Sequence, residues 1–270
     1  MPTAKASVAL NDLGVLRGYG VFDFLKTVNQ KPFLWTEHWR RFNNSAKSLG
    51  LKLPVGESAV KKIITDLFKK NLPAQAGKIK DGSIRLILTG GATADGMTPT
   101  KPNFAILIED LYVYPPKTFT HGAKVITHEY LRLVPEAKTT NYITAIKLQK
   151  QKKQERALEI LYTHQGRVLE CSTSNFFIVK NGSLITPKVD ILYGTTRNLV
   201  INLATKAGIA VEEREVDVAE LKTADETFLT ATNKDITPIV QIDDQIIGDG
   251  TPGPLTRQLR ALFSEFVKKY

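Results

Sequence analysis

"EAKTTNYITAIKLQKQKKQ", residues 136–154, holds five lysines, and they do not read alike. Lys147, Lys150, Lys152 and Lys153 are interleaved with glutamine in a stretch that reads as a water-facing helix. Lys138 stands apart, followed by Thr139, Thr140, Asn141 and Tyr142. A lysine amine forms a Schiff base with an aldehyde where burial or neighbouring cations lower its pKa, and a phenol four residues on can hydrogen-bond beside the imine. The plainer reading is a surface lysine at a helix start. The flanking sequence decides between the two.

Downstream, three segments carry groups that suit a small anionic ligand. In "RVLECSTSNFFIV", 167–179, Glu170 ends a hairpin strand and precedes a small polar run. A carboxylate held there can keep the ring nitrogen of a pyridine protonated, although a strand-end acid is also ordinary. In "LYGTTRNLVINLA", 192–204, Gly194, Thr195 and Thr196 open an amphipathic helix whose free N–H groups suit a phosphate. In "FLTATNKDITPI", 228–239, a strand ends in Ala231, Thr232 and Asn233, small enough for donors to approach an anion closely. A capped helix and a simple turn are the plainer readings of these two.

The rest of the chain predicts an alternation of strands and helices. "GVFDFLKTV" and "KPFLW" flank Asn29-Gln30 as a hairpin, and "TEHWRRFNNSAKSLG" follows as a helix with Thr36 as N-cap. Trp39, Phe42, Ala46 and Leu49 mark its apolar face. "ESAVKKIITDLFKKN" reads as a second helix, and "SIRLILT" and "NFAILIEDL" as buried strands. "YVYPPKTFTHGA" is rich in turn residues and marks the boundary between a domain over 1–115 and one over 123–270, with 116–122 as linker. The second domain is expected to hold the strand "KVITHEY", a helix over the lysine segment, and hairpins at "LEILYTHQGRVLE" and around Asn181-Gly182. Strands at "VEEREVDV", "ETFLTA" and "IVQIDDQIIG" and a closing helix "LTRQLRALFSEFVKK" complete two α/β domains.

Composition narrows the function. The chain has 270 residues, 42% hydrophobic and 24% charged, within the ordinary globular range. No run of about 18 apolar residues suggests a membrane span, and the N-terminal stretch lacks an apolar signal core. The single cysteine, Cys171, excludes an internal disulfide and fits a reducing cytoplasm. His38, His121, His128 and His164 show no ligand-like spacing, so no metal is expected. The net charge of +10 favours anionic small molecules. The lysine cluster lacks the aromatic pattern of a nucleic-acid binder, and a polyanion-binding protein remains the distant alternative.

Taken together and in order, these segments resemble the class IV, fold-type IV pyridoxal-phosphate enzymes: branched-chain aminotransferases, D-amino acid aminotransferases and aminodeoxychorismate lyases. The resemblance runs from "LNDLGVLRGYGVFDF" to the final helix. It implies a small N-terminal α/β domain and a larger C-terminal domain with a barrel-like sheet, in a homodimer. Lys138 matches the family's Schiff-base lysine, and Tyr142 the residue at the cofactor's phenolic oxygen. Glu170 matches the partner of the pyridine nitrogen, while Arg41, Thr195, Thr196 and Thr232 match the groups that hold the phosphate. The resemblance implies amino-group transfer between an amino acid, hydrophobic and branched-chain-like, and a 2-oxo acid. Aminodeoxychorismate lyase or D-amino acid aminotransferase chemistry on the same scaffold is the alternative.

The chain departs from the pattern at several points. Cys171 replaces the glycine after the glutamate and would stand near the ring nitrogen. Tyr193 replaces a proline before Gly194, and Ala231 replaces a glycine before Thr232. Toward substrate, Arg17 stands where branched-chain enzymes tend to carry tyrosine, and Phe24 and Lys26 where they carry glycine and arginine. Phe24 would narrow the pocket, and Arg17 and Lys26 would add charge for a carboxylate or pair with neighbouring acids. Arg85 matches a strand arginine that would help hold a carboxylate. The loop "GGATADGMTP" lacks the arginine usual in D-amino acid enzymes and lyases.

Overall fold

The computed structural model describes residues 5–71 and 81–270, so the first four residues of the N-terminal stretch lie outside it. The described chain divides into two compact units, residues up to Tyr112 with Ala137–Tyr142, and Val113–Glu136 with Ile143–Tyr270.

The first unit opens with the one-turn helix α1 (Leu13–Arg17), followed by β1 (Gly20–Val28) and the two-residue β2 (Lys31–Pro32). Asn29 and Gln30 both have positive φ, 51° and 60°, as a two-residue hairpin turn of matching twist requires. Helix α2 (Trp35–Ser48) starts two residues earlier than its sequence suggests. Its N-cap is Leu34, not Thr36, at a left-handed φ of 53° and without a side-chain cap. The Leu34 side chain is buried, and that burial takes the place of capping. Helix α3 (Glu57–Asn71) and strands β3 (Gly82–Thr89) and β4 (Asn103–Asp110) complete an antiparallel sheet in the order β2-β1-β3-β4. Period-two alternation turns Val21 and Leu25 of β1 and Ile84, Leu86 and Leu88 of β3 toward Phe42 and Ala46 of α2 and Ile64 and Phe68 of α3.

The second unit begins before the strands expected of it. The segment read as a linker over 116–122 contains a short helix, α4 (Pro116–Thr120), with proline at its first turn, and β5 (Ala123–Glu129) follows. The lysine-rich stretch forms two short helices, α5 (Ile143–Lys147) and α6 (Gln149–Gln154), divided at Leu148. Strands β6 (Glu159–His164), β7 (Arg167–Cys171), β8 (Asn175–Lys180) and β9 (Ser183–Pro187) come next, then α7 (Thr195–Lys206).

The stretch expected as one strand at 211–218 is two, β10 (Val211–Arg214) and β11 (Val216–Asp217), separated by Glu215 alone. A 3-10 turn over Val218–Thr223 follows, with Asp217 and Glu220 forming a reciprocal capping box. Strands β12 (Glu226–Ala231), β13 (Asp235–Ile242) and β14 (Gln245–Ile246) and helix α8 (Pro254–Lys268) end the chain. Nine strands run β10-β9-β8-β12-β13-β5-β6-β7-β11, with β14 paired to β13. The two outermost strands are thus neighbours in sequence, so the sheet curls until its edges meet at Glu215. That is a barrel-like sheet closed by a covalent seam. Its largest apolar cluster draws Val125, Leu161, Phe176, Ile178, Leu229 and Ile239 from five strands.

Candidate active site

In the first unit, the lysine segment is an extra rung on β1. β2 pairs only with Thr27 and Val28, which leaves the start of that edge open. Residues 138–140 fill it: Phe22 N–H donates to the Lys138 carbonyl and Thr140 N–H to the Gly20 carbonyl, both at 2.9 Å, and Val21 bridges Thr139. Gly20 is required by the approach, since a Cβ there would lie 2.9 Å from the Leu88 carbonyl oxygen and 3.2 Å from Thr140 Oγ1. Lys138 N–H donates to Ser45 Oγ of α2 at 3.0 Å. The backbone of Lys138 is therefore held from both sides.

Beyond that rung lies the non-core face of β1. Lys138 Nζ sits 4.7 Å from the Phe22 ring centroid, and the Tyr142 ring meets Phe22 edge-on at 5.7 Å. Arg85, the register partner of Phe24, stacks over Phe24 at 5.1 Å and Phe22 at 5.9 Å while its Nε donates to Glu109 at 3.2 Å. Four of the expected residues, Lys138, Tyr142, Phe24 and Arg85, are thus brought together around Phe22. Lys26 is buried with its Nζ 5.6 Å over the Phe33 ring. Arg17 lies apart, exposed, with Nη1 donating to the adjacent Leu16 carbonyl.

The core face of the same strand carries a residue that the sequence reading passed over. Asp23 is fully buried in the phase of Val21 and Leu25. His38 Nδ1 lies 2.7 Å from its Oδ1, and Arg41 donates through Nε and Nη2 at 2.9 and 2.7 Å. His38 and Arg41 are three apart on α2 and so share the face that meets β1. Burial alone would raise the Asp23 carboxyl, but the Arg41 and His38 charges hold it well below the usual carboxylate range. Burial lowers the His38 pKa, against the pull of Asp23, and the Arg41 and Lys138 cations lower it further.

In the second unit, Glu170 is buried at the end of β7. Arg132 Nε donates to its Oε1 at 2.8 Å, and the Leu192 N–H and Asn175 Nδ2 reach Oε2 at 3.1 and 3.4 Å. Asn175 is the hub of this cluster, because Nδ2 also donates to the Leu192 carbonyl at 2.7 Å. Its Oδ1 presses on Gly194, where a Cβ would lie 2.1 Å away, and its backbone pairs with Thr230. The Glu170 loop, the start of α7 and the end of β12 therefore converge on one residue, the first two on its side chain and the third on its backbone. Gly194 is the N-cap of α7 and brings no capping side chain of its own, and the first-turn N–H groups lie outside the helix's own hydrogen-bond ladder. Thr195 and Thr196 are buried there, and Thr232 is half-buried in the β12–β13 turn. Arg197 Nε in that first turn and Thr230 Oγ1 are buried without a hydrogen-bond partner among the described residues.

Of the departures in the second unit, Cys171 turns into the core, while Tyr193 lies beside Arg197, whose Cζ is 5.6 Å from its ring centroid. The Cys171 side chain packs with Val125, Leu161 and Val168 in the core, where burial pushes its thiol well up. Tyr193 is exposed, its hydroxyl donating to the Lys188 carbonyl at 2.9 Å. Of the other lysines in the opening segment, Lys147, Lys150 and Lys153 face solvent. Lys152 does not; it is half-buried and reaches the Leu158 carbonyl. Among the described residues no cluster of three or more His, Cys, Asp or Glu could hold a metal, and no helix is long and apolar enough to cross a membrane.

Arg132, Asn175, Asp23 and His38 were not singled out from sequence as site residues. Asp23 carried a signal, a carboxylate in the core phase of an alternating strand. Arg132 carried none, since its partner is distant in the chain.

Comparison with known proteins bears on the family and the fold. The family model described as Amino-transferase class IV matches residues 20–242. A Methanocaldococcus jannaschii protein carrying the provisional name branched-chain-amino-acid aminotransferase is 32% identical over 98% of this chain and 93% of its own. The D-alanine aminotransferase of Listeria monocytogenes is also 32% identical, over 98% of this chain and 92% of its own. A crystal structure of the T.th. branched-chain amino acid aminotransferase with pyridoxamine 5′-phosphate superposes with a TM-score of 0.89. It is 27% identical and covers 99% of this chain and 91% of that one. The barrel-like sheet and the smaller α/β unit are those of a fold-type IV enzyme, and the chain belongs to the class IV aminotransferases.

Proposed function

We propose that the protein transfers an amino group between an amino acid with a hydrophobic side chain and a 2-oxo acid, using pyridoxal 5′-phosphate held by Lys138. The observation that carries this reading is the lysine rung, where two backbone hydrogen bonds and Ser45 fix Lys138 and direct its amine over Phe22. The second unit fits the cofactor as well. A buried carboxylate stands ready for a protonated ring nitrogen, and a glycine-capped helix start with two buried threonines and the unpartnered Arg197 Nε suits a phosphate.

Pyridoxal phosphate, when bound, supplies the electron sink for the charge that develops at the substrate Cα. Lys138 would bind its aldehyde carbon and then, released as an amine, carry a proton at Nζ between the substrate Cα and the cofactor C4′. Glu170 would accept the ring N–H, and the Arg132 hydrogen bond orients that carboxylate. Tyr142 would donate to the phenolic oxygen. Thr195, Thr196 and Thr232 would donate to the phosphate. Arg41 would add its remaining Nη1, since Asp23 already engages its other two nitrogens. Phe22 and Phe24 would face an apolar substrate side chain, with Arg85 above them for a carboxylate. Lys26, buried against Phe33, and exposed Arg17 are assigned supporting positive charge only. The proposal includes a homodimer, as the family resemblance implies, in the cytoplasm, which the single cysteine fits.

D-amino acid transamination is the second reading, favoured by the equal identity of the D-alanine aminotransferase. An absorption spectrum of the purified protein with pyridoxal phosphate, taken before and after L- and D-amino acids, separates the two. A visible band that converts with L-leucine and not with D-alanine supports the main reading. Conversion by D-amino acids alone supports the second, and no band at all overturns both.

A further inference from the structure

A buried ion pair outside the groups just assigned joins two of the loops that carry them. Glu159, at the start of β6, and Lys234, at the end of the β12–β13 turn, are 2% and 4% exposed and lie 2.8 Å apart. The Glu159 carboxylate also accepts from all three hydroxyls of the run between Glu170 and Asn175: Ser172, Thr173, and Ser174 at 3.0 Å. Lys234 donates in turn to Thr173 Oγ1 at 2.8 Å and faces the Tyr114 ring at 5.8 Å. Burial would raise the Glu159 carboxyl, yet Lys234 and the hydroxyls hold it at about 2. Burial likewise opposes charge on Lys234, and Glu159 raises its pKa above the usual value. Both groups are therefore charged in the folded protein.

The placement gives this pair a task. Lys234 closes the turn that opens with Thr232, and its carbonyl accepts from Thr237 Oγ1 at 2.7 Å. Serines and threonine 172–174 form the loop that leads from Glu170 to Asn175. β8 and β12 are neighbours, with Asn175 opposite Thr230, so the two loops leave adjacent strand ends. We infer that Glu159 and Lys234 are positioning residues that clamp the Glu170 loop to the Thr232 turn, setting the spacing at which both ends of one pyridoxal phosphate are gripped together. The inference rests on the cofactor reading above. A ligand gripped at two ends gains affinity from their fixed spacing, whereas a fragment gripped at one end does not.

The test is equilibrium titration of the cofactor-free protein and of the Glu159→Gln/Lys234→Met variant with pyridoxal phosphate, pyridoxal and inorganic phosphate, alongside thermal melts. The expected result is a Kd for pyridoxal phosphate at least tenfold higher in the variant, with the two fragments shifted by less than threefold. Lys234→Arg, which keeps the charge and the reach to Glu159, is expected to restore binding to within about threefold of wild type. A variant that melts cooperatively and binds pyridoxal phosphate within twofold of wild type overturns the clamp. So does equal weakening of all three ligands. If the double variant fails to fold, Thr173→Val removes the shared hydroxyl alone, and unchanged affinity there overturns the clamp as well. A wild-type protein that binds no pyridoxal phosphate overturns the cofactor reading itself, a result distinct from the others.

Discussion

Replacing Glu159 and Lys234 together by Gln and Met should flatten the acid limb of the stability curve. The Glu159 carboxyl is held at about 2 in the folded chain against an ordinary 4.5. A depressed folded pKa contributes stability that is present above 4.5 and lost as pH falls through 2. A difference of about 2.5 units at about 1.36 kcal/mol each gives roughly 3 kcal/mol at neutral pH, of which roughly 2 kcal/mol is gone by pH 3. Lys234, whose pKa is raised, contributes its share everywhere below its ordinary 10.5 and so does not bend the curve in this window. Denaturant unfolding at pH 7, 5, 4 and 3 measures the effect as a difference between wild type and variant, which cancels the other carboxylates. Both tryptophans, Trp35 and Trp39, lie in the first unit, so circular dichroism is the probe to follow for the second. Curves that stay parallel within about 0.5 kcal/mol between pH 5 and 3 would refute the argument that this carboxylate is ionised and paired in the fold.

Lys138→Ala is expected to abolish both the visible band formed with pyridoxal phosphate and turnover, and persistence of either removes Lys138 from its role. Glu170→Gln is expected to keep cofactor binding within a few fold while lowering kcat by on the order of 100-fold, as loss of a proton-holding partner does. Equal kcat values would remove Glu170 from the ring nitrogen. Asp23→Asn leaves Arg41 and His38 facing a neutral amide in a buried site and should destabilise the first unit by about 3 kcal/mol, read from the tryptophan fluorescence midpoint. A shift under about 1 kcal/mol would mean that the buried triad is not holding α2 to β1.

Much of the fold follows from local pattern. The Asn29-Gln30 and Asn181-Gly182 turns, the alternation of β3 and the amphipathic α2 and α8 are short-range signals, and the elements lie where those signals put them. What local pattern cannot carry is which strand lies beside which. "VEEREVDV" reads as one strand, yet its halves belong to opposite edges of a sheet, a decision made by the partners β9 and β7. Leu34 shows a second kind of miss, where burial of an apolar side chain overrides the capping preference that pointed to Thr36. In the candidate site, Lys138, Glu170 and the Gly194-Thr195-Thr196 run could be singled out because their order along the chain resembles a family. Glu159 and Lys234 were not. Each is an ordinary charge beside a strand until the other, 75 positions away, comes within 2.8 Å.

The lysine rung also delays completion of the first unit while the chain is being made. Strand β1 is complete when residue 28 leaves the ribosome, yet the backbone partners of Gly20 and Phe22 are not synthesised until residues 138 to 140. At about 5–20 residues per second, the nascent first unit waits several seconds with that stretch of edge unpaired. Unpaired edges recruit other strands, so this interval is when a translating polysome of this protein is most exposed to chain-to-chain mispairing. A truncated product ending near Tyr112 would keep that opening permanently, which makes early termination a source of aggregates rather than of a small soluble domain.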